Sequence, residues 1–195
     1  MRAFCVTGVM TALVLGLATV ASAELTSGPQ AGETVGAFTV TKVTGNADDG
    51  VDDGKTLCYR CKMGKRPVVM VFARSTDASV AKLVEKLEAE IEEHADAKLS
   101  AFVNLIGTDA EALKKEAADF VAKHEITRVA FVVPEDFENG PPEFKIAPEA
   151  DITVICYKGG EVKANHALAK GGLCCETIDA IVEDSEKLVE VKVVE

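Results

Sequence analysis

The stretch Cys58-Tyr59-Arg60-Cys61-Lys62-Met63-Gly64-Lys65-Arg66-Pro67-Val68-Val69-Met70-Val71-Phe72-Ala73-Arg74 decides how this chain is read. Its second half is an unbroken apolar run rich in β-branched residues, the pattern of a strand buried on both faces. Its first half sets a Cys-x-x-Cys pair among four basic residues, Arg60, Lys62, Lys65 and Arg66. Two thiols at that spacing form a redox couple, a structural disulfide or half of a metal site. The preceding residues, 55–61, read as a strand. In a regular strand Cys58 and Cys61 would point to opposite faces and could not bond, so a bond between them requires a turn at Tyr59-Arg60.

The chain begins with Arg2, a short apolar stretch from Ala12 to Val20, and Ala21-Ser22-Ala23. That order is the pattern of a secretory signal peptide cut after Ala23, and the apolar stretch is too short for a spanning helix. The expectation is an exported protein, periplasmic or secreted, with no membrane span after cleavage. Residues 24–37 read as a flexible lead-in and 38–190 as one domain, a length that supports a proper core. The formal charge is −11, which argues against nucleic acid and anionic membranes as partners. Cys5 leaves with the signal peptide. Cys58, Cys61, Cys156, Cys174 and Cys175 remain, an odd number that leaves at least one thiol unpaired within the chain.

Outward from the central run the elements follow by pattern. Phe38–Thr44 alternates and is β-branched, hence a strand. Residues 45–54 are a turn-rich acidic loop; the spacing fails a calcium loop and suits a solvated one. After the central strand, Thr76 or Asp77 caps a helix whose face carries Val80, Leu83, Val84, Leu87 and Ile91. Residues 99–106 are a strand. Thr108-Asp-Ala-Glu111 has capping-box spacing and opens a helix with Leu113, Ala117, Phe120 and Val121 inward. Residues 127–133 form another strand, and 134–148 a loop rich in Pro, Glu and Gly. Ile152–Leu168 is a β-hairpin turned at Gly159-Gly160, and a last helix carries Ile178, Ile181 and Val182 on one side. The order ββαβαβββα implies a mixed sheet with helices on both faces.

Val69-Met-Val-Phe-Ala73 followed by a capped helix resembles the central strand and first helix of the thioredoxin-like superfamily. Thr153-Val-Ile-Cys-Tyr-Lys-Gly-Gly-Glu-Val162 resembles its terminal hairpin, and Lys170-Gly-Gly-Leu173 the approach to its last helix. Gly28 to Gly32, the Phe38 strand and the turn before the central strand are similar to its peroxiredoxin and exported thiol–disulfide oxidoreductase branches. The resemblance runs from about Gly28 to about Leu188. It implies an α/β fold, a mixed central sheet flanked by helices with an N-terminal β-hairpin extension. It also implies protein thiols or disulfides as partners and calls for no cofactor. The chain departs from the family where its chemistry sits. The cysteine position after the central strand reads Thr76-Asp77-Ala78-Ser79, so Thr76 and Ser79 mark a degenerate site. No proline stands near Ile152, where the family has its cis-proline, and no peroxiredoxin Pro-x-x-x-Thr-x-x-Cys run is present.

Chemistry then falls to other residues. Cys58 and Cys61 are the candidate redox pair, one attacking a partner disulfide and the other resolving it, with the nearby cations favouring thiolate. Cys174 and Cys175, at the start of the last helix, are secondary candidates. The alternatives are a non-catalytic binding or scaffold domain with stapling cysteines, and a metal-binding protein using Cys58, Cys61, Cys174 and Cys175 as four sulfur ligands. No metal site is assigned. Cys156 reads as a buried small hydrophobe, and His94, His124 and His166 as structural or solvated residues.

Overall fold

The computed structural model describes residues 25–190; the expected signal peptide lies outside them. The chain forms β1 (Val40–Thr44), β2 (Thr56–Leu57), α1 (Tyr59–Met63), β3 (Pro67–Ala73), α2 (Ala78–Glu93), β4 (Ser100–Leu105), α3 (Ala110–His124), β5 (Val129–Pro134), β6 (Ile152–Lys158), β7 (Glu161–Leu168) and α4 (Cys175–Val189). The strands make one sheet in the order β2-β1-β5-β4-β3-β6-β7. β3, β4 and β5 run parallel, and β6 and β7 return antiparallel along the other side of β3. The β1–β2 hairpin extends the sheet beyond β5, to which β1 pairs antiparallel. Among the described residues no helix is long and apolar enough to cross a membrane.

All seven residues of β3 are buried, as its uninterrupted apolarity requires. Val69, Val71 and Ala73 point to one face and meet Val80, Leu83 and Leu87 of α2, Ala117 and Phe120 of α3, and Ile178 and Ile181 of α4. Val68, Met70 and Phe72 point to the other, toward Val35, Phe38, Tyr59, Met63, Phe144 and Ile146. Helices lie on both faces, but unequally: the three long helices share the first face, and only the one-turn α1 lies on the second. The reason is topological. Successive parallel crossovers β3-α2-β4 and β4-α3-β5 step the same way along the sheet, and each is right-handed, so both helices land on one side. The second face is left to the one-turn α1, the N-terminal segment and the 134–150 loop.

That requirement also corrects the expected flexible lead-in. Val35 is buried, Thr34 bridges to Glu161, and the Val35 N–H donates to the Gly160 carbonyl at 2.8 Å. Ser27 is fully buried; its hydroxyl lies 2.7 Å from that of Thr153 and accepts the Ala147 N–H at 2.9 Å. Residues 27–36 are therefore part of the cover on β6 and β7. The 134–150 loop is pinned by Arg74, whose guanidinium donates to the carbonyls of Ala150 (3.0 Å) and Glu138 (3.2 Å) and to Asn139 Oδ1 (3.2 Å). Two helix starts follow a common rule: Asp77 caps α2 and Asp109 caps α3, each carboxylate accepting two backbone N–H groups. Asp109, one residue past the Thr108 of the expected capping box, takes that position because its oxygen reaches the Glu111 and Ala112 N–H groups. At the far end of α4, Lys158 donates to the Leu188 carbonyl at 2.6 Å and ties the helix C-terminus to the base of β6.

Phe102 is fully buried on the second face, its ring centroid 5.2 Å from that of Tyr59. Phe102→Ala should lower stability by about 3–5 kcal/mol, as large cavities in cores do. A urea midpoint unchanged from wild type would show that α1 and its neighbours do not rest on this ring.

Candidate redox site

The expected strand at residues 55–61 stops after Leu57, and the chain turns into α1. Tyr59 and Met63 are spaced i,i+4 and both are buried, so they fix which side of the turn faces the sheet. Cys58 is the extended N-cap residue, and its Sγ accepts the Cys61 N–H at 3.1 Å. The Lys62 N–H closes the turn on the Cys58 carbonyl at 3.0 Å. Gly64 ends it with φ 61°, ψ −113°, a conformation open to glycine and strained for other residues. This helical turn, rather than a strand, brings the Cα atoms of Cys58 and Cys61 to 5.2 Å, and a disulfide joins them. Cys58 is half-buried and Cys61 exposed, beside exposed Lys62, Lys65 and Arg66. The Arg60 side chain folds back instead, donating from Nε to the Val35 carbonyl at 3.1 Å and lying against Gly160, where a Cβ would collide with it.

The turn is anchored from beneath by a polar cluster. Tyr59, the residue after Cys58, is fully buried and its phenol donates to Asp49 Oδ2. Burial, then this hydrogen bond, push its pKa well above the ordinary tyrosine value. Asp49 Oδ1 pairs with the ammonium of Lys42 at 3.0 Å. Lys42 is 1% exposed and completes its donor set on the carbonyls of Asn46 (2.7 Å) and Val51 (2.8 Å). The acidic loop is thus wrapped around an internal cation, the lysine itself. Sequence reasoning missed Lys42 and Asp49. The signal was present: by period two, Lys42 shares a face with Phe38 and Val40, so the strand aims an ammonium at its apolar side.

The other expected positions lie elsewhere. Thr76 and Ser79 sit at the C-terminal end of β3 and the start of α2. Thr76 donates to Glu116 Oε1 at 2.6 Å, and Ser79 Oγ donates to Asp77 Oδ1 at 2.5 Å. The Asp77 pKa is lowered, first by that hydroxyl. Ser79 thus supports the cap of α2, and Thr76 ties the end of β3 to α3. Cys174 caps α4 and Cys175 begins it; both are exposed, and the Cys174 thiol donates to Glu176 at 3.2 Å. Leu168 pairs with Ile152, which pairs with Ala73, so α4 starts at the end of β3 remote from Cys58 and Cys61. Seven strand residues at about 3.3 Å each separate the two ends by roughly 20 Å. The four-sulfur metal reading therefore fails on geometry. Cys156 is fully buried, and burial, with a smaller effect from Asp184, pushes its thiol pKa up to about 12. His166 lies 2.9 Å from Asp184 and links β7 to α4; His94 lies 3.5 Å from Glu90; His124 packs on Phe120.

With the sheet order, the terminal hairpin and the capped helix after the central strand in place, the chain has the thioredoxin-like fold. A thiol:disulfide interchange protein of the DsbE type from Chlorobium tepidum is similar over 82% of this chain and 98% of its own, with 12% identity and a TM-score of 0.60. The thioredoxin domain of thiol-disulfide oxidoreductase BVU-2223 from Bacteroides vulgatus has a TM-score of 0.59 at 13% identity, over 82% of this chain and 98% of that one. Mycobacterium bovis AhpC also has a TM-score of 0.59, at 13% identity, over 83% of this chain and 98% of its own. No protein-family description and no curated protein matches the sequence.

Two outcomes follow from this geometry. Lys42→Met should cost about 3–5 kcal/mol in urea unfolding, because it leaves the Asp49 carboxylate buried and unpaired. It should also open residues 45–54 to proteolysis; an equally stable, equally resistant variant would mean that the ion pair does not hold the loop. Cys156 makes stability fall with alkali. The unfolded thiol releases its proton near 9.0 and the folded one near 12, so between those values the folded state binds more protons and loses ground as pH rises. Cys156→Ala should flatten this decline by up to about 1.4 kcal/mol per pH unit. Parallel curves for the two proteins from pH 9 to 11 would contradict it.

Proposed function

We propose that this is an exported thioredoxin-like protein, formed by removal of residues 1–23, which exchanges disulfides with protein thiols through Cys58 and Cys61. The observation that carries the reading is the α1 turn, which holds the two sulfurs in one bond while leaving Cys61 exposed and Cys58 half-buried. A partner thiolate attacks Cys61 Sγ, the Cys58–Cys61 bond breaks, and its electron pair leaves on Cys58. The departing thiolate keeps the Cys61 N–H as a hydrogen-bond donor. A second partner thiolate then attacks the partner sulfur of the mixed disulfide. The partner leaves oxidised, and the pair remains as a dithiol. Read backwards, the same steps reduce a partner disulfide.

The test is a redox titration of the purified protein with separate tracking of Cys58 and Cys61 by mass spectrometry. The pair should convert between bonded and free forms within about −300 to −150 mV. Cys58→Ser should accumulate a mixed disulfide on Cys61, since the resolving sulfur is gone, and Cys61→Ser should accumulate far less. A bond that stays closed across that whole range would make the pair a staple and end the exchange reading.

A further inference from the structure

The exchange reading leaves open what kind of partner the disulfide meets, and the charges around it bear on that. Between Cys58 and Arg66 the chain carries four cations and no carboxylate, in a protein of formal charge −11. Lys86, Lys114, Lys115, Lys163, Lys187 and Arg128 each lie within 4.0 Å of a carboxylate, and the other exposed lysines without one, such as Lys82, Lys98 and Lys123, are scattered singly along the chain. Among the described residues, none of Arg60, Lys62, Lys65 and Arg66 has a carboxylate that near. The neighbouring acidic loop offsets them only in part. Asp49 is turned inward to Lys42 and Tyr59, and Asp53 lies 4.0 Å from the same ammonium. Asp48 and Asp52 are exposed on that loop. Over residues 42–66 six cations stand against four carboxylates, the reverse of the balance of the whole chain.

The orientation of α1 gives this excess a direction. Tyr59 and Met63 occupy the inward side, so the exposed sulfur of Cys61 emerges with Lys62, and Lys65 and Arg66 follow in the exposed turn to β3. A partner approaching Cys61 must pass close to these unneutralised cations. Charge of one sign around a reactive point raises encounter with oppositely charged partners and suppresses others, more through on-rate than through final affinity. The surrounding negative charge adds to the contrast, because an acidic partner is repelled from the rest of the surface and drawn to this spot.

We infer that Cys61 and the basic turn around it form a docking surface for acidic protein segments, a partner cysteine flanked by Asp or Glu. This rests on the exchange reading and adds the substrate class to it. The covalent step is unchanged: the partner thiolate bonds to Cys61 Sγ and Cys58 leaves with the electron pair. The surface acts before that step, by holding the partner's carboxylates near Lys62, Lys65 and Arg66.

The experiment uses the full mature protein in its disulfide form and two synthetic peptides, one with glutamates and one with lysines on both sides of a single cysteine. Rates of opening of the Cys58–Cys61 bond are measured by stopped flow for the wild type and for the charge-reversed K62E/K65E/R66E protein. The acidic-to-basic rate ratio of the wild type is divided by that of the variant, which cancels the peptides' own difference in thiol reactivity. At about 0.01 M salt, where the Debye length is about 30 Å, this quotient should be about tenfold or more. It should contract toward unity at about 1 M salt, where that length is about 3 Å. A quotient near one at low salt overturns the inference while leaving exchange intact. Should neither peptide nor dithiothreitol open the bond, the exchange reading itself has failed, a different result. If the triple variant loses its circular dichroism spectrum, the neutral K65Q/R66Q protein takes its place, with a smaller quotient that must still exceed one and vanish with salt.

Discussion

Seven consecutive residues of β3 are buried, and much of the remaining structure answers that constraint. Apolar strands in the middle of a sheet need two covers, each contributing burial at roughly 25 cal/mol per Å2. Right-handed crossovers deliver α2 and α3 to one face and α4 joins them there. The opposite face has no long helix and is closed by smaller pieces: Val35 and Phe38, the Tyr59–Met63 turn, and Phe144 and Ile146 of the 134–150 loop. The cysteine pair owes its location to this arrangement. It flanks a turn whose inward residues complete the second cover, so the sulfurs lie before the central strand and at the other end from the start of α2.

The same need explains the polar anchor. A turn as short as α1 has little stability of its own, since helix nucleation is costly. Tyr59 supplies ring burial against Phe102 and a hydroxyl that Asp49 accepts. Asp49 can be buried because Lys42 faces it, and Lys42 because two loop carbonyls take its other protons. The chain of dependence runs from β1 through the acidic loop to the residue between the two cysteines. The cost of two buried charges is offset locally, and the result is a loop and a turn with defined geometry next to the disulfide.

At the opposite end, the oxygens at the start of α2 are engaged in hydrogen bonds that hold the helices. Ser79 donates to the Asp77 cap, and Thr76 crosses to Glu116 of α3. Cys174 and Cys175 stand at the same end, on the surface of the α4 start.

Period and composition alone identified the central strand, the inward faces of α2 and α3, and the terminal hairpin, because each of those rests on local alternation of apolar and polar residues. Leu113, Ala117, Phe120 and Val121 are all buried, as their spacing requires. The cysteine spacing also stated its own condition, that a bond needs a turn at Tyr59-Arg60. Tertiary structure decided what local pattern cannot carry. It chose helix over strand at Tyr59–Cys61, because Tyr59 and Met63 had a face to cover. It pinned the 27–36 segment against β6 and β7 through buried Ser27 and Val35, which no local pattern marks. It buried Lys42, because the carbonyls that satisfy an ammonium come from where a loop happens to fold back, and no periodicity in the chain records that.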